Sequence, residues 1–282
     1  CVSEAVGLLA EYGEKSVIMA GGTDVVVQLN ERSISPEYVI HLDKIEELKF
    51  IKQDENSVRI GPRVTMFELE DSELIRENFT ALAQAAEESA APQVRNMGTI
   101  GGNLGTASPA GDLVTALMAL DAQIKILSSQ GERICPVEKF LTGPKKNILN
   151  KNELITEIII PKLPPNSASA FQKLGKRKAM SISIVSAAAS VTLDEKGSLI
   201  KDVKVSLGSV APTVVRAKKF EDALKGKGID MSNIKNAIDL IKEDIKPITD
   251  GRATAEYRLE VAGVLAARCL ENSLTYLTNS SQ

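Results

Sequence analysis

Tryptophan is missing altogether, histidine occurs once, at His41, and cysteine three times, at Cys1, Cys135 and Cys269. A lone histidine leaves little room for the ligand set of a zinc protease or for a Ser-His-Asp triad. The three cysteines lie far apart, and no two make a C-x-x-C or other metal-ligand spacing. An iron–sulfur cluster is usually held by four thiolates, so this chain is not expected to hold one alone, and buried free thiols are the expected state of its cysteines. No run of ~18 apolar residues occurs, so no membrane-spanning helix is expected. No secretory signal pattern opens the chain, and a reducing cytoplasm is the expected compartment. An excess of one charge is lacking too. The 34 Lys and Arg against 37 Asp and Glu leave a net charge of −3, and the cations are scattered. That balance argues against nucleic acid or an anionic membrane as the main partner.

What is present fits a soluble chain with a sizeable core: 282 residues, 43% hydrophobic and 25% charged. The length suggests about two domains. Residues 6–12 have a helical period, and Gly13 offers a left-handed cap. Val17-Ile18-Met19-Ala20 reads as a buried strand running into Gly21-Gly22, with residues 24–29 as the next helix. Further strands are expected at 38–42, 50–51, 58–61, 124–127 and 155–160. Helices are expected from Thr65 to Ala86 and over 112–120. Pro161-Lys162-Leu163-Pro164-Pro165-Asn166-Ser167 is the linker candidate, because proline cannot join a ladder or a helix interior. Strands then read at 170–174, 182–193 and 203–210, and helices at 218–224, 234–241 and 256–271. The fold class is α+β, with a boundary near residue 165 and no internal repeat.

Two glycine-bearing segments stand out, Ala20-Gly21-Gly22-Thr23-Asp24 and Thr99-Ile100-Gly101-Gly102-Asn103. Glycine lets backbone N–H groups converge on an anion, and a following helix adds a favourable dipole. Thr and Asn side chains can add hydrogen bonds. From spacing alone either segment is more often an ordinary turn. Neither fits G-x-G-x-x-G or G-x-x-x-x-G-K-[ST], so a Rossmann dinucleotide site and a P-loop NTPase lose support.

The pair resembles the A-G-G-[TH]-[DS] and [TS]-[IL]-G-G-N segments of the FAD-binding subunits and domains of the molybdenum hydroxylases, the xanthine dehydrogenase and carbon monoxide dehydrogenase family. The similarity continues through Ala107-Ser108-Pro109-Ala110-Gly111-Asp112. It extends to Phe171-Gln172-Lys173, to Gly208-Ser209-Val210-Ala211-Pro212-Thr213 and to Ala255-Glu256-Tyr257-Arg258. It thus covers nearly the whole chain. The resemblance implies a two-subdomain FAD-binding fold of the vanillyl-alcohol oxidase-like type over residues 1–165. A C-terminal α+β domain over 166–282 would follow. It implies that Ile18, Met19, Ala20, Gly21, Gly22, Thr23, Asp24 and Val25 lie along the FAD pyrophosphate, with Thr99, Ile100, Gly101, Gly102 and Asn103 on its other side. Asp112 would contact the flavin's polar chain, Ile155 would pack near the ring, and Lys173 would reach the cofactor from the second domain. Read without the family, Asp112 is a helix cap, Ile155 a core residue and Lys173 a surface charge. Ser89 stands where some relatives carry an aromatic residue. Lys178-Ala179-Met180-Ser181 replaces an acidic stretch of NAD-using relatives.

The function implied is that of an electron-transfer module with no catalytic acid, base or nucleophile of its own. FAD would be bound non-covalently. Molybdopterin and [2Fe–2S] clusters would sit on a large and a small partner subunit, in a complex that is itself dimerised. Electrons would leave to NAD or another carrier, and an N-heterocycle is the preferred substrate. A stand-alone FAD oxidase or reductase and a cofactor-free scaffold protein are the alternatives.

Overall fold

The computed structural model describes residues 1–279. Its first unit is small. The helix Val2–Tyr12 turns Ala5, Val6 and Leu9 onto one face, against Ile40, Leu42, Leu48 and Leu154. Gly13 does not cap it in a left-handed conformation. Its φ is −47°, and a 3₁₀ turn, Gly13–Lys15, follows. The residue is glycine because of a close approach: a Cβ there would lie 2.7 Å from the Lys151 carbonyl oxygen. The strand Ser16–Met19 then pairs in parallel with Tyr38–His41, the helix Val25–Asn30 lying between them in the chain. Ser16–Met19 is only half-buried, where the sequence predicts a buried strand, because its remaining surface borders a cleft.

The second unit is a five-stranded antiparallel sheet in the order Ile51–Gln53, Ser57–Ile60, Leu154–Pro161, Gln123–Ser128, Gly131–Pro136. The last of these is an edge strand that the apolar pattern misses, since Glu132, Arg133 and Ile134 keep solvent contact and only Cys135 is buried. Helices pack on the sheet. Met66–Asp71 begins with a capping box in which Thr65 and Glu68 satisfy each other's backbone N–H. Ser72 caps Glu73–Asn78, and Thr80–Glu87 follows. Every residue of Asp112–Ala119 is buried, because this helix shares the core of the five-stranded sheet and also meets the strands of the C-terminal half.

Beyond residues 162–166 the strands Ser167–Leu174, Val185–Leu193, Ile200–Gly208 and Val215–Arg216 form an antiparallel sheet in chain order. The long helix Ala255–Asn279 covers one face and the helices Thr80–Glu87 and Asp112–Ala119 touch the other, so all nine residues of Val185–Leu193 are buried. Lys218–Leu224 and Met231–Ala237 complete this half, and the helix predicted over 234–241 ends as a 3₁₀ segment, Ile238–Glu243. Small side chains let the two halves approach. A Cβ on Gly208 would meet Ser186 Oγ at 2.3 Å and Thr115 Oγ1 at 2.6 Å. The seam is hydrogen-bonded as well: Ser206 Oγ donates to the Thr115 carbonyl at 2.6 Å, and Phe171 N–H donates to Gln84 Oε1 at 2.8 Å. Among the described residues no helix is long and apolar enough to cross a membrane. Cys135 and Cys269 are buried free thiols, as expected, and burial pushes both upward in pKa; Cys1 is exposed.

Candidate cofactor site

A cleft of about 400 Å³ opens between the parallel strand pair and the helix Ile100–Thr106. That volume falls in the roughly 300–1,000 Å³ range of small-molecule sites. Three separate segments wall it, and the first is the turn after Ser16–Met19. Ile18, Ala20, Gly21, Gly22, Thr23, Asp24 and Val25 all line the cleft, while Met19 does not. Gly21 is fixed by packing: a Cβ would sit 1.6 Å from the Met97 carbonyl oxygen. Gly22 has φ +72°, the left-handed region that favours glycine. Among the described residues none accepts a hydrogen bond from the backbone N–H groups of Gly21, Gly22, Thr23 or Asp24. Consecutive free amides around a left-handed residue form a concave anion receptor.

The second segment differs from what its glycines suggest. Thr99 is the N-cap of Ile100–Thr106, its hydroxyl accepting from Gly102 N–H, so Gly101, Gly102 and Asn103 are helical. The first amides are already engaged, Ile100 N–H with the Val64 carbonyl and Gly101 N–H with that of Pro62. What this segment offers is a surface and one side chain. Thr99, Gly101, Gly102, Asn103, Gly105 and Thr106 line the cleft, whereas Ile100 is buried in the core. Asn103 Oδ1 is buried without a partner among the described residues. The two segments are joined by Thr106 Oγ1, which donates to Asp24 Oδ2 at 2.7 Å.

The sequence reading misses most of the third segment, naming only Ile155. Asn147, Leu149, Asn150, Lys151, Glu153 and Leu154 line the cleft with it. Arg133 holds this wall in place, with Nε and Nη2 each donating to the Glu153 carboxylate at 2.8 Å and Nη2 also reaching the Ile148 carbonyl. The bidentate guanidinium holds the Glu153 carboxyl below the usual range. The only available signal was the asparagine-rich stretch Asn147-Ile148-Leu149-Asn150-Lys151-Asn152 just before a strongly apolar strand.

Asp112 and Lys173 lie outside the cleft and meet each other. Lys173 Nζ donates to Asp112 Oδ2 at 2.6 Å and to the Glu88 carbonyl at 2.9 Å. Ser183 Oγ donates to Asp112 Oδ1 at 2.5 Å. Gly111 is the helix N-cap, so Asp112 is not the cap, and Lys173, with its side chain 6% exposed, is not a surface charge. Burial raises Asp112, opposed by Lys173 and Ser183. The pair adjoins the cleft through Gly111, whose Cβ, if present, would be 3.3 Å from Asn103 Oδ1.

Glu88 borders this pair. It keeps solvent contact, yet its carboxyl is pushed up to about 7, chiefly by desolvation, with Asp112 and Glu87 adding and Lys173 opposing. A folded-state value above the unfolded one means that this group favours the fold when protonated. Its contribution is complete below the ordinary carboxylate pKa and is lost as pH rises through about 7. Glu88→Gln should therefore flatten the fall in Tm between about pH 4.5 and pH 7, with little effect on the slope below or above that window. A variant whose Tm profile parallels that of the parent would show that Glu88 titrates normally.

Comparison with known proteins adds a family to this geometry. Residues 1–163 match the model of the FAD binding domain in molybdopterin dehydrogenase, and residues 169–273 that of the CO dehydrogenase flavoprotein C-terminal domain. The nicotinate dehydrogenase FAD-subunit of Eubacterium barkeri is 35% identical over 93% of this chain and 90% of its own length. The carbon monoxide dehydrogenase medium chain of Hydrogenophaga pseudoflava is 30% identical over 95% and 93%. A crystal structure of Cu,Mo-CO dehydrogenase superposes with a TM-score of 0.92 at 29% identity, covering 97% of this chain and 95% of that one. Quinoline 2-oxidoreductase from Pseudomonas putida 86 does so with 0.90 at 26%, covering 98% and 95%. Free amides, an orphaned buried amide oxygen and a two-part family match thus agree, and the chain belongs to the FAD-binding subunits of the molybdenum hydroxylases, flavoproteins of multi-subunit dehydrogenases whose molybdenum-pterin and iron–sulfur centres are carried by other subunits.

Proposed function

We propose that this chain binds one FAD non-covalently in the cleft and relays electrons from [2Fe–2S] clusters on a small partner subunit to a separate acceptor. The observation that carries this reading is the row of unpartnered amides from Gly21 to Asp24 in the wall of a cleft that is also lined by Asn103, whose buried Oδ1 has no partner among the described residues. The amides suit a pyrophosphate, and Lys151 is the one cation lining the cleft among the described residues. Asn103 Oδ1 suits a sugar or ribityl hydroxyl donor. Ile18, Met19, Ala20, Gly21, Gly22, Thr23, Asp24 and Val25 are assigned to one side of the pyrophosphate. Thr99, Ile100, Gly101, Gly102 and Asn103 are assigned to the other, with Ile100 and Met19 acting as packing beneath their neighbours. Ile155 offers an apolar wall. Asp112 and Lys173 present a fixed buried dipole just past Gly111. Bound FAD would supply the two-electron chemistry, and this chain's residues would hold and orient it.

The domain division follows the same reading: residues 1–165 bind the cofactor and 166–282 close over it. A molybdopterin large subunit completes the complex, which dimerises in the cytoplasm, and NAD or another carrier takes the electrons. An N-heterocycle is the proposed substrate class, supported by the likeness to a nicotinate dehydrogenase and a quinoline oxidoreductase. Asn103→Ala should weaken FAD binding about tenfold at nearly unchanged Tm, because it removes an acceptor that has no partner in the protein. Fluorescence titration of apoprotein with FAD checks this.

The decisive experiment starts from purified chain. Acid or heat should release FAD into the supernatant. The chain alone should oxidise no purine, nicotinate or aldehyde, and adding the iron–sulfur and molybdopterin subunits should restore turnover. A colourless folded preparation that takes up no FAD would support a scaffold protein. Turnover by the single chain would support a self-contained flavoenzyme.

A further inference from the structure

Arg258, near the start of the long helix Ala255–Asn279, is 2% exposed and has a single carboxylate partner. Its Nη2 donates to Asp250 Oδ1 at 2.7 Å, while Nη1 donates to the carbonyls of Ile184 at 2.6 Å and Ser209 at 2.8 Å. Its Nε is buried without a partner among the described residues. Burying a guanidinium this way is costly as mere packing. Its two carbonyl partners suggest another role, because they flank the ends of Val185–Leu193 and Ile200–Gly208.

Ser209 is the second part of the arrangement. It sits in the left-handed region, with φ +63°, although it is not glycine. In that conformation all its polar groups are engaged. Its carbonyl accepts from Arg258, its N–H donates to the Pro109 carbonyl at 2.7 Å, and its hydroxyl donates to the Ser183 carbonyl at 3.0 Å. Pro109 opens the turn that leads into Asp112, and Ser183 is the fully buried donor to Asp112 Oδ1. The contacts therefore reach Asp112 from two sides, through its own backbone turn and through its hydrogen-bond donor. None of Arg258, Ser209 or Ser183 lines the cleft.

We infer that Arg258 and Ser209 are positioning residues that fix the Ser183 hydroxyl on Asp112 and so set the orientation of the Asp112–Lys173 pair toward the cofactor. This rests on the FAD reading above. Losing the clip would free Asp112 to change rotamer without removing any group that touches FAD. A lysine at 258 would not replace the clip, because an ammonium lacks the fork that reaches two carbonyls and a carboxylate at once.

The test uses the full chain and compares Ser209→Gly, Ser183→Ala and Arg258→Lys with Ser206→Ala. Ser206→Ala removes a buried hydrogen bond of the same seam, to the Thr115 carbonyl one turn along the helix from Asp112, and touches neither the Asp112 carboxylate nor its partners Ser183 and Lys173. Ser209→Gly relieves the backbone and removes only the hydroxyl link, so it keeps the test open if Arg258→Lys fails to fold. FAD Kd by fluorescence quenching and the visible circular dichroism of the fully loaded protein are read beside Tm. The three clip variants should raise Kd about tenfold, the weight of one hydrogen bond to a charged group, and alter the flavin dichroism. Ser206→Ala should lower Tm alone. Unchanged Kd and dichroism in Ser209→Gly and Ser183→Ala, or equal changes in Ser206→Ala, would overturn the clip while leaving FAD binding intact. Absence of FAD binding by the parent chain would overturn the underlying reading instead.

Discussion

Gly105→Leu is expected to lower FAD affinity about a hundredfold while leaving the fold in place, because a side chain there occupies the cleft and little else. A Cβ at this position meets nothing within 4 Å, and the residue lines the cleft. It is also helical, within Ile100–Thr106, so replacing glycine should firm the helix slightly. Gly21 and Gly101 are poorer probes although their motifs are more conspicuous. A Cβ on Gly101 would come within 2.5 Å of Pro62 Cβ, so its substitution tests folding before it tests binding. The measurement pairs FAD titration with thermal unfolding. A Gly105→Leu protein that melts normally and binds FAD with parental affinity would move the cofactor out of this cleft.

Lys173→Met should give the largest stability loss, about 3–5 kcal/mol in urea unfolding, because it leaves Asp112 as an uncompensated buried charge. Both side chains are nearly inaccessible, at 6% and 8% exposure. Burial already raises the Asp112 carboxyl, and the lysine is the foremost influence holding it down. Without the lysine the folded-state pKa rises further above the unfolded value. The variant's deficit should then shrink at low pH, where Asp112 is protonated, and grow as pH rises. Adding Asp112→Asn should recover much of the loss. A deficit below about 1 kcal/mol would mean that the pair behaves as a surface ion pair.

Much of the fold was legible in the sequence where apolar periodicity is strong. The helix Lys218–Leu224 falls where its pattern places it, and Leu154–Pro161 announces itself through its isoleucines. Gly131–Pro136 was not legible, because an edge strand in which only Cys135 is buried has the same composition as a loop. Gly13 misled because a glycine after a helix fits a left-handed cap, whereas here it makes room for the Lys151 carbonyl from far along the chain. The same limit applies at the site. Gly22 and Asp24 could be found by local chemistry, but the engagement of Gly101 N–H by Pro62 is a tertiary fact. Asp112 and Lys173 could be named separately from the family resemblance. That they bond to each other depends on how the two halves pack, which no local pattern carries.

The strand order of the five-stranded sheet bears on synthesis. Its middle member, Leu154–Pro161, comes last in the chain and lies between Ser57–Ile60 and Gln123–Ser128. Until that segment has left the ribosome, the two flanking hairpins have no shared partner and present open edges to other nascent chains. Leu154 and Ile155 also belong to the third wall of the cleft. A nascent chain stalled before residue 154 therefore has neither a closed sheet nor a complete site, so cofactor capture has to wait for the end of the first half.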